Sequence, residues 1–266
     1  MDRTVGADLG FTALEPCEIE LQIAVARTPG LQVEDTLTLI HEGTALTPRQ
    51  VHTPHGGLLH LIDVPPGRMQ LTYTATVRGE AEVAGPSPAD LSLYRRPSRY
   101  VESDTFGGFA FSEFGSAHDG DLLTAVSSWV GTRLAYVPGS SGPTDGATET
   151  LLKGAGVCRD YAHLVVALLR ALGVPARLTA VYAPGCVPMD FHAVAEAWVR
   201  GGWHVVDASA LAPRSSLVRI ATGRDAADTA FLTNNGGNLM LDWASVTAVA
   251  DQGLPADDLD QLVRIG

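Results

Sequence analysis

The chain has 266 residues, 45% of them hydrophobic, and carries a formal net charge of −12 from 30 acidic and 18 basic residues. That length holds one large domain or two ordinary ones, and the composition is globular rather than disordered. The acidic balance lacks the basic footprint that nucleic-acid binding needs, and no apolar run approaches the roughly 20 residues of a membrane span.

Met1-Asp-Arg-Thr-Val-Gly-Ala-Asp8 has no apolar signal-peptide core, so a cytoplasmic protein is the expectation. Cys17, Cys158 and Cys186 are too few for a disulfide framework, and no CxxC pair marks a structural zinc.

Residues 9–83 read as β-rich. Glu18-Ile-Glu-Leu-Gln-Ile-Ala-Val25, Thr36-Leu-Thr-Leu-Ile40 and Gln70-Leu-Thr-Tyr-Thr-Ala-Thr-Val77 alternate polar and apolar residues, as half-buried strands do. Turn signals separate them at His41-Glu-Gly43, Pro54-His-Gly-Gly57 and Pro65-Pro-Gly67. Short strands at this spacing predict a small sandwich-like all-β domain over 1–88, ending in the linker Gly85-Pro-Ser-Pro88.

Residues 89–266 have a different texture. Asp119–Val130 starts acidic and continues with helical apolar spacing, so it predicts a helix. Pro138–Gly146 is a loop and Thr148–Leu152 a short helix. Gly154-Ala-Gly-Val-Cys158 leads into a third helix that ends at Gly173-Val-Pro175. Strands follow at Ala176–Tyr182, Ala193–Val199 and Trp203–Asp207, the last two joined by a Gly201-Gly202 hairpin. One helix on an antiparallel sheet makes an α+β core.

Cys158 stands where the glycine loop becomes a helix. The positive end of a helix dipole favours a thiolate, the nucleophilic form. A buried structural thiol is the competing reading. Gly154 and Gly156 count against it, because glycines let backbone N–H groups crowd a reacting centre. One of them and the Cys158 N–H would then form an oxyanion hole.

His192 and Asp207 supply a base and an orienting carboxylate, but their spacing alone does not join them. Pairing centred on Gly201-Gly202 sets Asp207 opposite Glu196, about 13 Å along the strands from His192. A bulge or another register must close that gap.

Gly156-Val-Cys-Arg-Asp-Tyr-Ala-His163, Leu168–Arg177, Phe191-His-Ala193 and Trp203-His-Val-Val-Asp207 together resemble the transglutaminase-like superfamily. The resemblance covers roughly residues 90–240 and extends to its bacterial branch through Tyr94–Asp104 and Gly223–Asp228. It implies a papain-like α+β core, with the cysteine helix packed on an antiparallel sheet. It also implies a Cys158, His192, Asp207 triad of nucleophile, base and orienting acid. Bacterial members often carry an N-terminal β domain.

Two departures stand out. His192-Ala-Val194 replaces the family's usual His-Ala-Trp, with Trp198 a candidate to fill that space, and Ala208 replaces the proline that usually follows the Asp.

The reaction this implies is cysteine-dependent hydrolysis of a peptide or isopeptide amide through a thioester acyl-enzyme. The alternatives are transfer of the acyl group from glutamine to an amine, a non-catalytic binding module, and a redox sensor built on Cys158 and Cys186. The expected partner is a peptide or protein substrate, neither nucleic acid nor membrane, with a homodimer open. No cofactor is expected.

Among the remaining residues, Asp160 reads as a helix-start carboxylate and His163 as structural. Tyr136 reads as a core tyrosine, with a hydrogen bond near the oxyanion as the alternative. His52, His55 and His60 lack a further motif at ligand spacing, so no metal is expected. Asn234-Asn-Gly-Gly237 reads as a turn.

Overall fold

A computed structural model describes residues 1–82 and 85–266. Val83, the last residue of the expected β-rich stretch, lies outside the described residues.

The N-terminal part runs through β1 (Arg3–Ala13), β2 (Cys17–Leu21), β3 (Leu31–His41), β4 (Thr44–Ala45), β5 (Arg49–His52), β6 (Leu58–Val64) and β7 (Gly67–Gly79). Alternation drives these strands. In β7, Met69, Leu71, Tyr73, Ala75 and Val77 point inward and the residues between them outward. They join Leu9, Phe11, Ile19 and Leu21 in one core. Each fully buried aliphatic or aromatic side chain there contributes about 1.5–3 kcal/mol.

The second part comprises α1 (Pro88–Leu93), α2 (Gly107–Phe114), α3 (Asp119–Arg133), β8 (Ala135–Tyr136), α4 (Ala147–Lys153), β9 (Ala155–Gly156) and α5 (Cys158–Ala171). It continues through β10 (Ala176–Tyr182), β11 (His192–Val199), β12 (Gly202–Val206), β13 (Val218–Gly223) and α6 (Ala226–Thr229). The antiparallel sheet has the order β12-β11-β10-β13. Ala195 and Ala197 of β11 turn small side chains toward α5, so the helix lies close on the strand. Leu164, Val165, Leu168 and Leu169 fill the interface. The expected α+β arrangement of a cysteine-bearing helix on an antiparallel sheet, preceded by β strands, is the one observed.

The chain then returns to its first strands. β14 (Leu232–Asn235) pairs with β2, and β15 (Leu239–Ala250) pairs with β1 along its whole length. The sheets are therefore β15-β1-β7-β3-β4 and β14-β2-β6-β5. The expected boundary after residue 88 groups β14 and β15 with the second unit, whereas their hydrogen bonds run to strands of the first.

The two units share packing. The Tyr182 hydroxyl donates to the Ile23 carbonyl at 2.8 Å, and the Tyr73 and Tyr182 rings stack with centroids 6.4 Å apart. Among the described residues no helix is long and apolar enough to cross a membrane.

The hairpin between β11 and β12 corrects the expected register. Its turn residues are Arg200 and Gly201, with φ of 48° and 75°, and Val199 pairs with Gly202. Positive φ at both central residues is the type I′ geometry, whose twist matches that of the flanking strands. The turn sits one residue earlier than expected. Continuing the register sets Asp207 level with Val194, two residues from His192 and on the same face of the sheet.

Candidate active site

Cys158 is the first residue of α5, and its local structure is built by its neighbours. Val157 is extended, and the Asp160 carboxylate accepts its N–H at 2.8 Å, which occupies an otherwise unpaired donor at the helix start. Asp160 is fully buried and also accepts the Ser141 hydroxyl at 2.5 Å. Arg159 reaches the other oxygen of Asp160 at 2.8 Å and the Gly142 carbonyl at 2.8 Å. The loop between β8 and α4 is thereby tied to the first turn of α5. The expected role of Asp160 as a helix-start carboxylate matches this geometry, and its links to Ser141 and Arg159 are additional.

The two glycines before the thiol have separate reasons. Gly154 has φ of 63°, ends α4, and donates its N–H to Thr150 at 3.0 Å. That donor is spent within the helix and does not face the thiol. Gly156 lies beneath the Asp160 side chain, where a Cβ would collide with it.

His192 opens β11 and is 2% exposed; Asp207 follows β12 and is 4% exposed. Nε2 of His192 and Oδ2 of Asp207 are 2.8 Å apart. The other Asp207 oxygen accepts the Ser209 N–H at 2.9 Å and its hydroxyl at 2.6 Å. Sγ of Cys158 lies 4.0 Å from the carbonyl of Phe191, the residue before His192. The three sequence-selected residues thus converge between the start of α5 and the adjoining ends of β11 and β12.

The electrostatics follow from this packing. Burial pushes the His192 imidazole down, but the Asp207 carboxylate, its hydrogen bond and the neighbouring Cys158 thiol together hold it well above its ordinary value. Burial pushes the Asp207 carboxyl up, and His192 and Ser209 outweigh that and hold it below the usual carboxylate range. Such an arrangement favours the charged form of the ring.

Two further residues complete the neighbourhood. Tyr136 is 41% exposed, so it is not the core tyrosine expected. Its phenol is pushed up first by burial and then by the adjacent Cys158 thiol, while the Cys158 N–H acts in the opposite direction. Ser209 was not singled out in the sequence. Its signal is the Asp207-Ala-Ser209 spacing, in which an aspartate accepts a backbone N–H two residues on.

Other candidates sit elsewhere. Trp198 packs edge-to-face on Trp203 at 5.6 Å and lies four residues along β11 from Val194, about 13 Å, so it does not fill the space of the family's tryptophan. His163 is buried, accepts the Ala226 N–H at 3.1 Å and stacks on Tyr100, as a structural histidine does. Cys186 is buried, with its thiol on the Pro188 carbonyl at 3.4 Å. His55 bonds Tyr94 and His60 faces Gln50. Among the described residues no three His, Cys, Asp or Glu side chains converge as metal ligands. Of the expected turn at Asn234–Gly237, Asn234 and Asn235 instead end β14, paired with Ile19 and Glu18, and Gly236 and Gly237, both with positive φ, make the turn toward β15.

Residues 112–208 match the profile of the transglutaminase-like superfamily. A solved structure of a candidate cysteine protease from Cytophaga hutchinsonii is 30% identical, covering 98% of this chain and 96% of that one, with a TM-score of 0.87. An uncharacterized protein of Mycobacterium leprae is 28% identical over 116 residues, 41% of this chain and 42% of its own. One from Mycobacterium tuberculosis strain H37Rv is 37% identical over 70 residues, 26% and 21% of the two chains. The match thus spans about two fifths or less of the length of these curated relatives. With its cysteine-bearing helix on an antiparallel sheet, the chain belongs to the transglutaminase-like superfamily, a family of papain-like enzymes.

Proposed function

We propose that the protein is a cysteine hydrolase of peptide or isopeptide amides, with Cys158 as nucleophile, His192 as base and Asp207 as orienting acid. The observation that carries this reading is the 2.8 Å His192–Asp207 contact beside the first residue of α5. Nε2 is committed to Asp207, which leaves Nδ1 for the thiol. Nδ1 takes the Cys158 proton as Sγ attacks the carbonyl carbon. The same proton passes to the leaving nitrogen as the C–N bond breaks, giving a thioester. Water then attacks the thioester, His192 accepts its proton, and collapse releases the acid and restores the thiol.

Asp207 keeps the ring oriented and stabilises its charged form, and Ser209 holds Asp207. The chemistry needs a reduced thiol, and Cys17, Cys158 and Cys186 are all unpaired, which supports a cytoplasmic setting.

The test is turnover of a quenched-fluorescence peptide library by wild type and Cys158→Ala, with folding followed by circular dichroism. Cleavage by wild type and none by the variant is expected. Equal turnover by both sinks the proposal. Adding a primary amine distinguishes the acceptors: an amide product in place of the acid identifies transfer rather than hydrolysis.

A further inference from the structure

β15 is the outermost strand of the sheet β15-β1-β7-β3-β4, and among the described residues nothing pairs with its free edge. Proteins blunt such edges with charged residues, short strands or a covering segment, because a bare strand is a template for pairing. The other end of this sheet follows that rule: β3 carries Glu34 and Asp35, and β4 covers part of it. In the second sheet the end strands β14 and β5 have four residues each. β15 has 12 residues, and from Trp243 to Ala250 it carries no charge.

A bulge divides the strand. Gly10 pairs with Trp243 and Phe11 with Leu241, so Asp242 stands outside the register, where it accepts the Thr12 hydroxyl at 2.8 Å. Beyond the bulge the register is regular. Val246, Ala248 and Ala250 are buried, and Trp243, Ser245, Thr247 and Val249 alternate with them on the exposed outer face. Trp243 is 46% exposed and Val249 50%. Their neighbours on β1 are Gly10, Asp8, Gly6 and Thr4, so the one charge facing this stretch from the next strand is Asp8, beside Ser245.

The occupant follows from charge and self-complementarity. Two copies of a chain with a net charge of −12 repel, so they meet closely only where carboxylates are absent, and the stretch from Trp243 to Ala250 is such a place. A two-fold axis through Val246 aligns two antiparallel copies of it. Val246 then meets itself, Ala244 meets Ala248, Ser245 meets Thr247 and Trp243 meets Val249. Paired hydroxyls and an aromatic opposite a β-branched residue are stabilising cross-strand pairs. No two carboxylates meet, because Asp242 falls opposite Ala250. An axis one residue on, through Thr247, would set Asp251 against Trp243 and lose this match.

We propose that the protein forms a symmetric dimer with a second copy of itself through β15, which joins the two five-stranded sheets into one continuous sheet. Cys158, His192 and Asp207 lie outside this strand, so the pairing stands apart from the reaction proposed above.

The test is sedimentation velocity of the full chain from micromolar to millimolar concentration, with two double variants at exposed positions of the outer face. Dimerisation of the wild type is expected. Ser245→Lys with Thr247→Lys sets like charges directly opposite one another at two places and should raise the dissociation constant at least about tenfold. This variant reduces the net negative charge, so general repulsion between copies predicts the opposite change. Ser245→Lys with Thr247→Glu keeps the net charge, sets opposite charges across the same two places and should dimerise at least as tightly as wild type. Both variants share the change beside Asp8 and differ at residue 247 alone. Thermal melts check that both fold. Three results overturn the proposal: a wild type that stays monomeric at millimolar concentration, unchanged dimerisation with both lysines in place, or a charge-swapped variant that dimerises no more tightly than the one with two lysines.

Discussion

A Cβ on Gly156 would lie 2.6 Å from the Cβ of Asp160. The glycine is therefore the space into which the carboxylate that caps the first turn of α5 fits. Gly156→Ala must move either that carboxylate or the start of the helix. A loss of about 1–2 kcal/mol in urea denaturation is expected, the usual worth of a helix cap. Cys158 alkylation should slow several-fold as its position shifts. Wild-type stability and alkylation rate in the variant would show that the cap is dispensable.

The His192–Asp207 pair makes a prediction about pH. His192 is raised in the folded chain, so its contribution to stability is complete below about pH 6.5 and fades as pH rises through the raised value. Asp207 is depressed, so its contribution is complete above about pH 3.9 and fades as pH falls through the depressed value. Asp207→Asn removes the principal force holding the imidazolium. An NMR titration of the His192 ring should then move to lower pH, and the fold should lose about 3–5 kcal/mol, as when one partner of a buried pair is removed. An unmoved titration would mean that Asp207 does not set the charge of the ring.

Glu196 makes a second, independent electrostatic prediction. Burial pushes its carboxyl up, but Arg177 and Arg219, with Thr179, hold it well below the usual carboxylate range. Its contribution is present above about pH 4.3 and lost only as pH falls through the depressed value. Glu196→Gln leaves two buried guanidiniums facing an amide, and a loss of about 3–5 kcal/mol by chemical denaturation is expected. A change below 1 kcal/mol would show that solvent reaches the arginines.

Tyr136→Phe removes a half-exposed hydroxyl beside Cys158 and little else. If that hydroxyl steadies the developing oxyanion, kcat should fall about 10²-fold with KM nearly unchanged. An equal fall in binding and none in kcat would assign Tyr136 to substrate contact instead.

Much of the site was legible because it is local. The glycine loop, the helix running to Gly173 and the strands that follow are each specified by neighbouring residues, so Cys158 was correctly set at a helix start. The join between His192 and Asp207 was not legible, because it depends on which two residues form the turn. Gly201-Gly202 looked the more permissive pair, yet Arg200 adopts positive φ and moves the register by one residue on each strand.

The place of Tyr136 is not set locally: only the fold brings it, half exposed, beside the Cys158 thiol. β15 was missed as well. Its inward residues Val246, Ala248 and Ala250 are small, and its partner strand lies at the other end of the sequence. Trp243 of β15 lies over Gly10 of β1, a fit that only the paired strands reveal.

That return of β15 to β1 has a consequence for synthesis. Arg3 pairs with Ala250, so the first sheet cannot be completed until nearly the whole chain has left the ribosome. Until then β1 lacks its outer neighbour, and the helical unit must form while its β companion is still open. Folding is thus bound to the slow closure of a contact that spans almost the entire sequence. Shortening the chain before residue 239 would leave β1 as an unguarded edge, a template for aggregation rather than a smaller stable fold.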